Sequence, residues 1–122
     1  MLAADTFERL VAEAVNALPE WVREQMDNVE ITIAPWPSPD QLRAANVRRG
    51  GMLLGLYEGV PLTKRGRGYN LAPPDRITLF QRPLELHAGS SASLAPLIQQ
   101  TIIHEIAHHF GISDEKLDQL GY

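Results

Sequence analysis

Thr101-Ile102-Ile103-His104-Glu105-Ile106-Ala107-His108-His109-Phe110-Gly111-Ile112-Ser113-Asp114 is the stretch on which the reading of the whole chain turns. Its kernel is His-Glu-x-x-His, which on a helix makes a zinc site with a built-in general base. Helical residues advance by roughly 100° each, so positions four apart diverge by only about 40°. His104 and His108 therefore point the same way, one turn apart, and their imidazoles can reach one ion. Glu105 lies beside them, placed to hold a water rather than the metal. Ile102, Ile103, Ile106 and Phe110 form an apolar stripe on the opposite side, expected to anchor the helix in a core.

A catalytic zinc usually takes three protein ligands. Gly111 can adopt the left-handed conformation that ends a helix, turning the chain back beneath the metal and bringing Asp114 to it. Asp114 also heads Asp114-Glu115-Lys116-Leu117-Asp118-Gln119-Leu120, a short helical stretch for which it could serve as N-cap. A carboxylate has two oxygens, so both roles can hold together. Asp118 is the next candidate for the third ligand. His109 is less suited, because it points about 100° away from His108, and reads as a packing or hydrogen-bonding residue on the helix flank.

The pattern His104-Glu105-x-x-His108-x-x-Gly111-x-x-Asp114 resembles the extended metzincin motif, in the variant with Asp as third ligand. The string His-Glu-Ile-Ala-His-His-Phe-Gly-Ile-Ser-Asp-Glu is similar to the small bacterial zincin-like metallopeptidases, or mini-zincins. Gly-Leu-Tyr-Glu-Gly-Val-Pro-Leu-Thr (55–63) and Ile-Thr-Leu-Phe-Gln-Arg-Pro-Leu (77–84) extend the likeness over most of residues 50–118. The resemblance implies a compact zincin core, zinc at His104, His108 and Asp114, and Glu105 as general base. One departure stands out. Metzincins carry a Met-containing turn downstream of the motif, whereas Met1, Met26 and Met52 all lie upstream of it and only eight residues follow Asp114.

The 122 residues suit one domain with a modest core. Hydrophobic content of 44% and charged content of 21% are those of an ordinary soluble protein. The absence of Cys rules out disulfides and thiolate ligands, leaving His and carboxylate to bind any metal. No signal peptide is visible and no apolar run is long enough to span a membrane, so the cytoplasm is the default expectation. Net charge is −4, with eight acids against two Arg in residues 1–40 and eight Lys/Arg against three acids in residues 41–85. The basic middle is interleaved with Gly and Pro rather than laid along a helix face, which reads as a solvated loop and not as a nucleic-acid surface.

Outward from the motif, a helix is expected from Asp5 or Thr6 to Leu18, with Phe7, Leu10, Val11, Ala14 and Leu18 on its apolar side. A short helix follows from Pro19 to near Met26, then a half-buried strand from Val29 to Pro35. Asp40 heads a helical turn through Ala45, and Met52 to Tyr57 reads as a second strand. Residues 58–75 are a loop rich in Gly and Pro. Arg76 to Arg82 reads as a third strand, placed at a sheet edge because Pro83 follows it and cannot donate to a ladder. Such an edge could accept an extended peptide. Ala88 to Ala92 form a small-residue linker, Ser93 caps the motif helix, and Pro96 falls near its start. The order predicts an α+β fold with a small sheet on one side of the motif helix.

The function read from the sequence is zinc-dependent peptide hydrolysis through a metal-activated water, with Glu105 as general base and a peptide or protein as substrate. The alternative is a zinc-binding module without turnover, since no oxyanion donor is assigned; Tyr57, Tyr69, His87 and Tyr122 are the candidates. Oligomeric state is not legible in the sequence.

Overall fold

A computed structural model describes residues 2–47, 51–59 and 74–122. The elements run α1 (Ala4–Asn16), α2 (Glu20–Gln25), β1 (Val29–Ala34), α3 (Pro39–Ala44), β2 (Gly55–Glu58), β3 (Asp75–Phe80), α4 (Gln81–Ala88), α5 (Ser91–His109) and α6 (Asp114–Leu120). This is the expected α+β arrangement, a three-stranded mixed sheet beside the motif helix with a short helix after it. Most of the expected 58–75 loop, including Tyr69, lies outside the described residues. Among the described residues, no helix is long and apolar enough to cross a membrane.

The helix α5 is the hub. It packs against α1, α2, α4, α6, β2 and β3, and buries Leu94, Ile98, Thr101, Ile102, Ile103, Ile106 and Ala107. Phe7, Val11 and Ala14 of α1 join the same core, with Ile77 and Leu79 of β3 and Leu84 of α4. Phe110, expected in that core, is instead 49% exposed. It is the residue after the last helical turn, where the direction of the side chain no longer follows the stripe.

The sheet order is β1-β3-β2, so the strand placed at an edge by its sequence is central. β1 runs parallel to β3, with Ile31 opposite Ile77, and β2 runs antiparallel to it, with Tyr57 opposite Ile77. The idea of a peptide pairing with β3 falls with this order, because both sides of β3 are already bonded. Pro83 misled the sequence reading for a physical reason. It belongs not to a strand end but to the first turn of α4, where a missing N–H costs nothing. Gln81 and Arg82 accordingly begin a helix that the sequence reading did not anticipate, and α4 occupies part of the expected linker.

Smaller shifts have similar causes. Ser38, not Asp40, caps α3, exchanging hydrogen bonds with Gln41 in a capping box. Ser90, not Ser93, caps α5, its hydroxyl accepting from the Ser93 amide. Pro96 therefore sits six residues into α5, past the first turn, where it leaves the Ala92 carbonyl without its usual i+4 donor.

Candidate metal centre

His104, Glu105 and His108 project from the last two turns of α5. The helix ends in a Schellman motif: Gly111 has φ +79°, its amide donates to the His108 carbonyl, and the Ile112 amide donates to the Ala107 carbonyl at 2.8 Å. Only a residue tolerant of positive φ closes that turn readily. The chain then doubles back, and the Ser113 hydroxyl caps α6 by accepting from the Lys116 amide at 3.1 Å. Ser113 thus takes the capping role considered for Asp114. The Asp114 carboxylate is left to face the histidines.

His108 Nε2 lies 2.7 Å from Asp114 Oδ1, and His104 Nδ1 lies 3.7 Å from the same oxygen. One ligand-capable atom from each of the three residues falls within 4.8 Å of the others. Neither Asp118 nor His109 belongs to this cluster. The carboxylate accepts, and the contact at 2.7 Å is a hydrogen bond in the His108 tautomer that carries its proton on Nε2. That hydrogen bond, and then the His108 charge, hold the Asp114 carboxyl below its ordinary value.

A zinc ion is what family likeness would put here, and the residues fit one. Two imidazoles and a carboxylate suit a borderline divalent cation. His104 Nε2 is buried with no hydrogen-bond partner among the described residues, which is uncommon for a buried ring nitrogen. The close contact between His108 Nε2 and Asp114 Oδ1 brings two ligand-capable atoms together where they could share a cation.

Glu105 stands apart from the cluster. Its Oε1 accepts a hydrogen bond of 2.9 Å from the Tyr57 backbone amide on β2. Burial pushes its carboxyl above the ordinary value, while the Tyr57 amide and the two histidines pull the other way without overcoming it. The strand reaches the helix because of Gly55. A Cβ built there would stand 2.7 Å from Thr101 Cγ2 and 3.3 Å from the Thr78 carbonyl oxygen. Sequence reasoning missed this contact, although a glycine inside a strand often marks a close backbone approach.

Two hollows meet at Glu105 and His108. One, of about 340 Å³, is bordered by Leu53, Leu54, Leu97, Thr101, His104 and His87. The other, of about 370 Å³, runs past Ala45, Leu56, Tyr57 and His109. Gly55 lies between them and touches both. Of the candidate oxyanion donors, His87 borders the first hollow. The Tyr57 hydroxyl donates instead to Asp75 Oδ2 at 2.7 Å. Tyr122 is drawn to Trp21, whose indole N–H donates to its hydroxyl at 3.4 Å.

Residues 26–122 match the family of zincin-like metallopeptidases, a span that includes every residue of the cluster and both sheet edges. No curated protein matches the chain.

Proposed function

The chain belongs to the zincin-like metallopeptidase family, and from that premise we propose that it hydrolyses peptide bonds with zinc held by His104, His108 and Asp114 and with Glu105 as general base. The observation that carries this reading is the separation of roles: three ligand-capable atoms gather within 4.8 Å, while Glu105 is turned to a strand amide beside them. A zinc ion bound here would supply Lewis acidity, lowering the pKa of water toward neutrality and polarising the scissile carbonyl.

The chain's own groups do the rest. The Tyr57 amide fixes Oε1 of Glu105, so the second carboxylate oxygen has a defined direction in which to take a proton from water. Partial burial makes Glu105 a stronger base than a solvated carboxylate and a competent acid toward the leaving amine afterwards. The substrate edge is β2, replacing the one expected at β3. Leu54 accepts from the Phe80 amide across the ladder, so by alternation Gly55 and Tyr57 turn their backbone groups away from β3; the Tyr57 amide is taken by Glu105, which leaves the Gly55 groups to meet an extended peptide. Leu53, Leu54 and Leu97 offer an apolar wall for a substrate side chain beside the metal.

The test uses purified protein carrying about one equivalent of zinc and a mixed peptide library. Glu105→Gln keeps the shape and removes the base, so it should retain zinc and lose cleavage. Equal cleavage by both proteins would mean that Glu105 has no such role. Stoichiometric zinc without cleavage by the wild type would favour a binding module instead.

A further inference from the structure

His109 adjoins a metal ligand in sequence yet turns away from the cluster, and its surroundings give it a different task. Its ring lies flat on Tyr57, with centroids 3.8 Å apart and planes 16° from parallel. Phe110 meets it edge-on, with ring centroids 5.1 Å apart. The far end of the Tyr57 ring is held by its hydroxyl, which donates to Asp75 on β3. Tyr57 is thus gripped at its face by α5 and at its tip by the neighbouring strand. The backbone amide of this same residue aims Glu105.

That grip has mechanical consequences. β2 is four residues long and lies at the sheet edge, where short strands fray. Its last turn toward Gly59 passes close by, with a Cβ on Gly59 lying 3.8 Å from both Asp75 Oδ1 and His109 Cε1. A stacked aromatic ring restrains both the twist of the strand and the position of the attached amide. The helix that carries the base therefore also carries the ring that fixes the base's partner, four residues further on.

We propose that His109 is a positioning residue for the general base: by stacking on Tyr57 it holds the strand amide that orients the Glu105 carboxylate. The role requires a flat ring and not an imidazole charge. It rests on the peptidase reading for its effect on turnover, but the clamp itself can be observed without turnover.

The experiment compares zinc-loaded wild type, His109→Ala and His109→Phe by amide hydrogen exchange at Tyr57 and by peptide cleavage. Loss of the stack should speed Tyr57 exchange by about tenfold in His109→Ala, the scale of one aromatic pair. Misaimed Glu105 should lower kcat by about tenfold with KM within about twofold, as small errors of placement do. Zinc content should stay at the wild-type level, and His109→Phe should recover most of both losses. Unchanged Tyr57 exchange in His109→Ala overturns the proposal. So does a Phe variant as impaired as the Ala variant, since that would assign the effect to the imidazole. If His109→Ala does not fold, His109→Leu takes its place with the same expectations, filling the space without a stacking face. If the wild type cleaves nothing, the peptidase reading fails while the exchange rates still decide the clamp.

Discussion

Replacing Gly55 with alanine puts the seating of β2 on α5 under direct stress. The new Cβ would stand 2.7 Å from Thr101 Cγ2, 3.3 Å from the Thr78 carbonyl oxygen and 3.5 Å from Leu79 Cδ2. Carbon atoms prefer separations of about 3.5–4.0 Å, so strand and helix must part by about 1 Å. Thr101 cannot simply rotate clear, because its hydroxyl donates to the Leu97 carbonyl at 2.8 Å and its branched side chain has few alternatives. A separation of that size would stretch the 2.9 Å bond from Tyr57 to Glu105 beyond hydrogen-bonding range. Overpacking of this kind costs about 1–3 kcal/mol, and we expect about 2 kcal/mol by urea denaturation. If Glu105 is the general base, peptide cleavage should fall further than stability alone accounts for, since the folded fraction would still carry Glu105 misdirected. Thr101→Ser removes the clashing methyl and keeps the hydroxyl, so the double variant Gly55→Ala/Thr101→Ser should recover most of the loss. A Gly55→Ala protein as stable as wild type would refute the reasoning, and a double variant with no recovery would locate the clash elsewhere.

Asp114→Ala should weaken zinc retention during dialysis, whereas Asp118→Ala should not; metal analysis of the two decides between them. Gly111→Ala should cost about 1–2 kcal/mol, because a residue with Cβ must take φ +79° although nothing crowds the new methyl; zinc affinity should drop with it as Asp114 is misplaced. Leu79→Pro should abolish folding, since it removes a ladder bond from a central strand, and circular dichroism would show the loss. Glu85 ties down the start of the chain: burial raises its carboxyl, but the Leu2 amide at 2.7 Å and Arg82 outweigh that and hold it below the ordinary value. A depressed carboxylate stabilises the fold above its unfolded pKa of about 4.3 and loses that contribution as pH falls through the folded value. Stability of wild type and Glu85→Gln should therefore differ at pH 7, by about 1 kcal/mol, and converge as the pH falls through that lowered value.

What the sequence made legible was local. The apolar stripe of α5, its two histidines one turn apart and the Gly111 turn all follow from helix geometry over fourteen residues. Choosing Asp114 over Ser113 as the cap was a local question too, but both residues can cap, and only the folded turn assigns the hydroxyl to it. The position of β3 was not legible, because sheet order depends on contacts between residues 29–34, 55–58 and 75–80 that no short window contains. Pro83 compounded this by signalling a strand end and a helix start equally well. Gly55 escaped notice for the same nonlocal reason, its partner Thr101 lying far along the chain.

The order β1-β3-β2 also governs when the sheet can come into being. Each outer strand bonds to β3, and they do not bond to each other. During synthesis, β1 emerges first and β2 next, both without the neighbour that completes them, until residues 75–80 clear the ribosome. At about 5–20 residues per second, Ile31 and Ile33 wait several seconds for their ladder, apolar and open to other chains. The helix that finishes the core is made later still. A chain cut off after residue 90 would therefore hold its sheet beside α1 and α4, with none of the α5 side chains that complete the core.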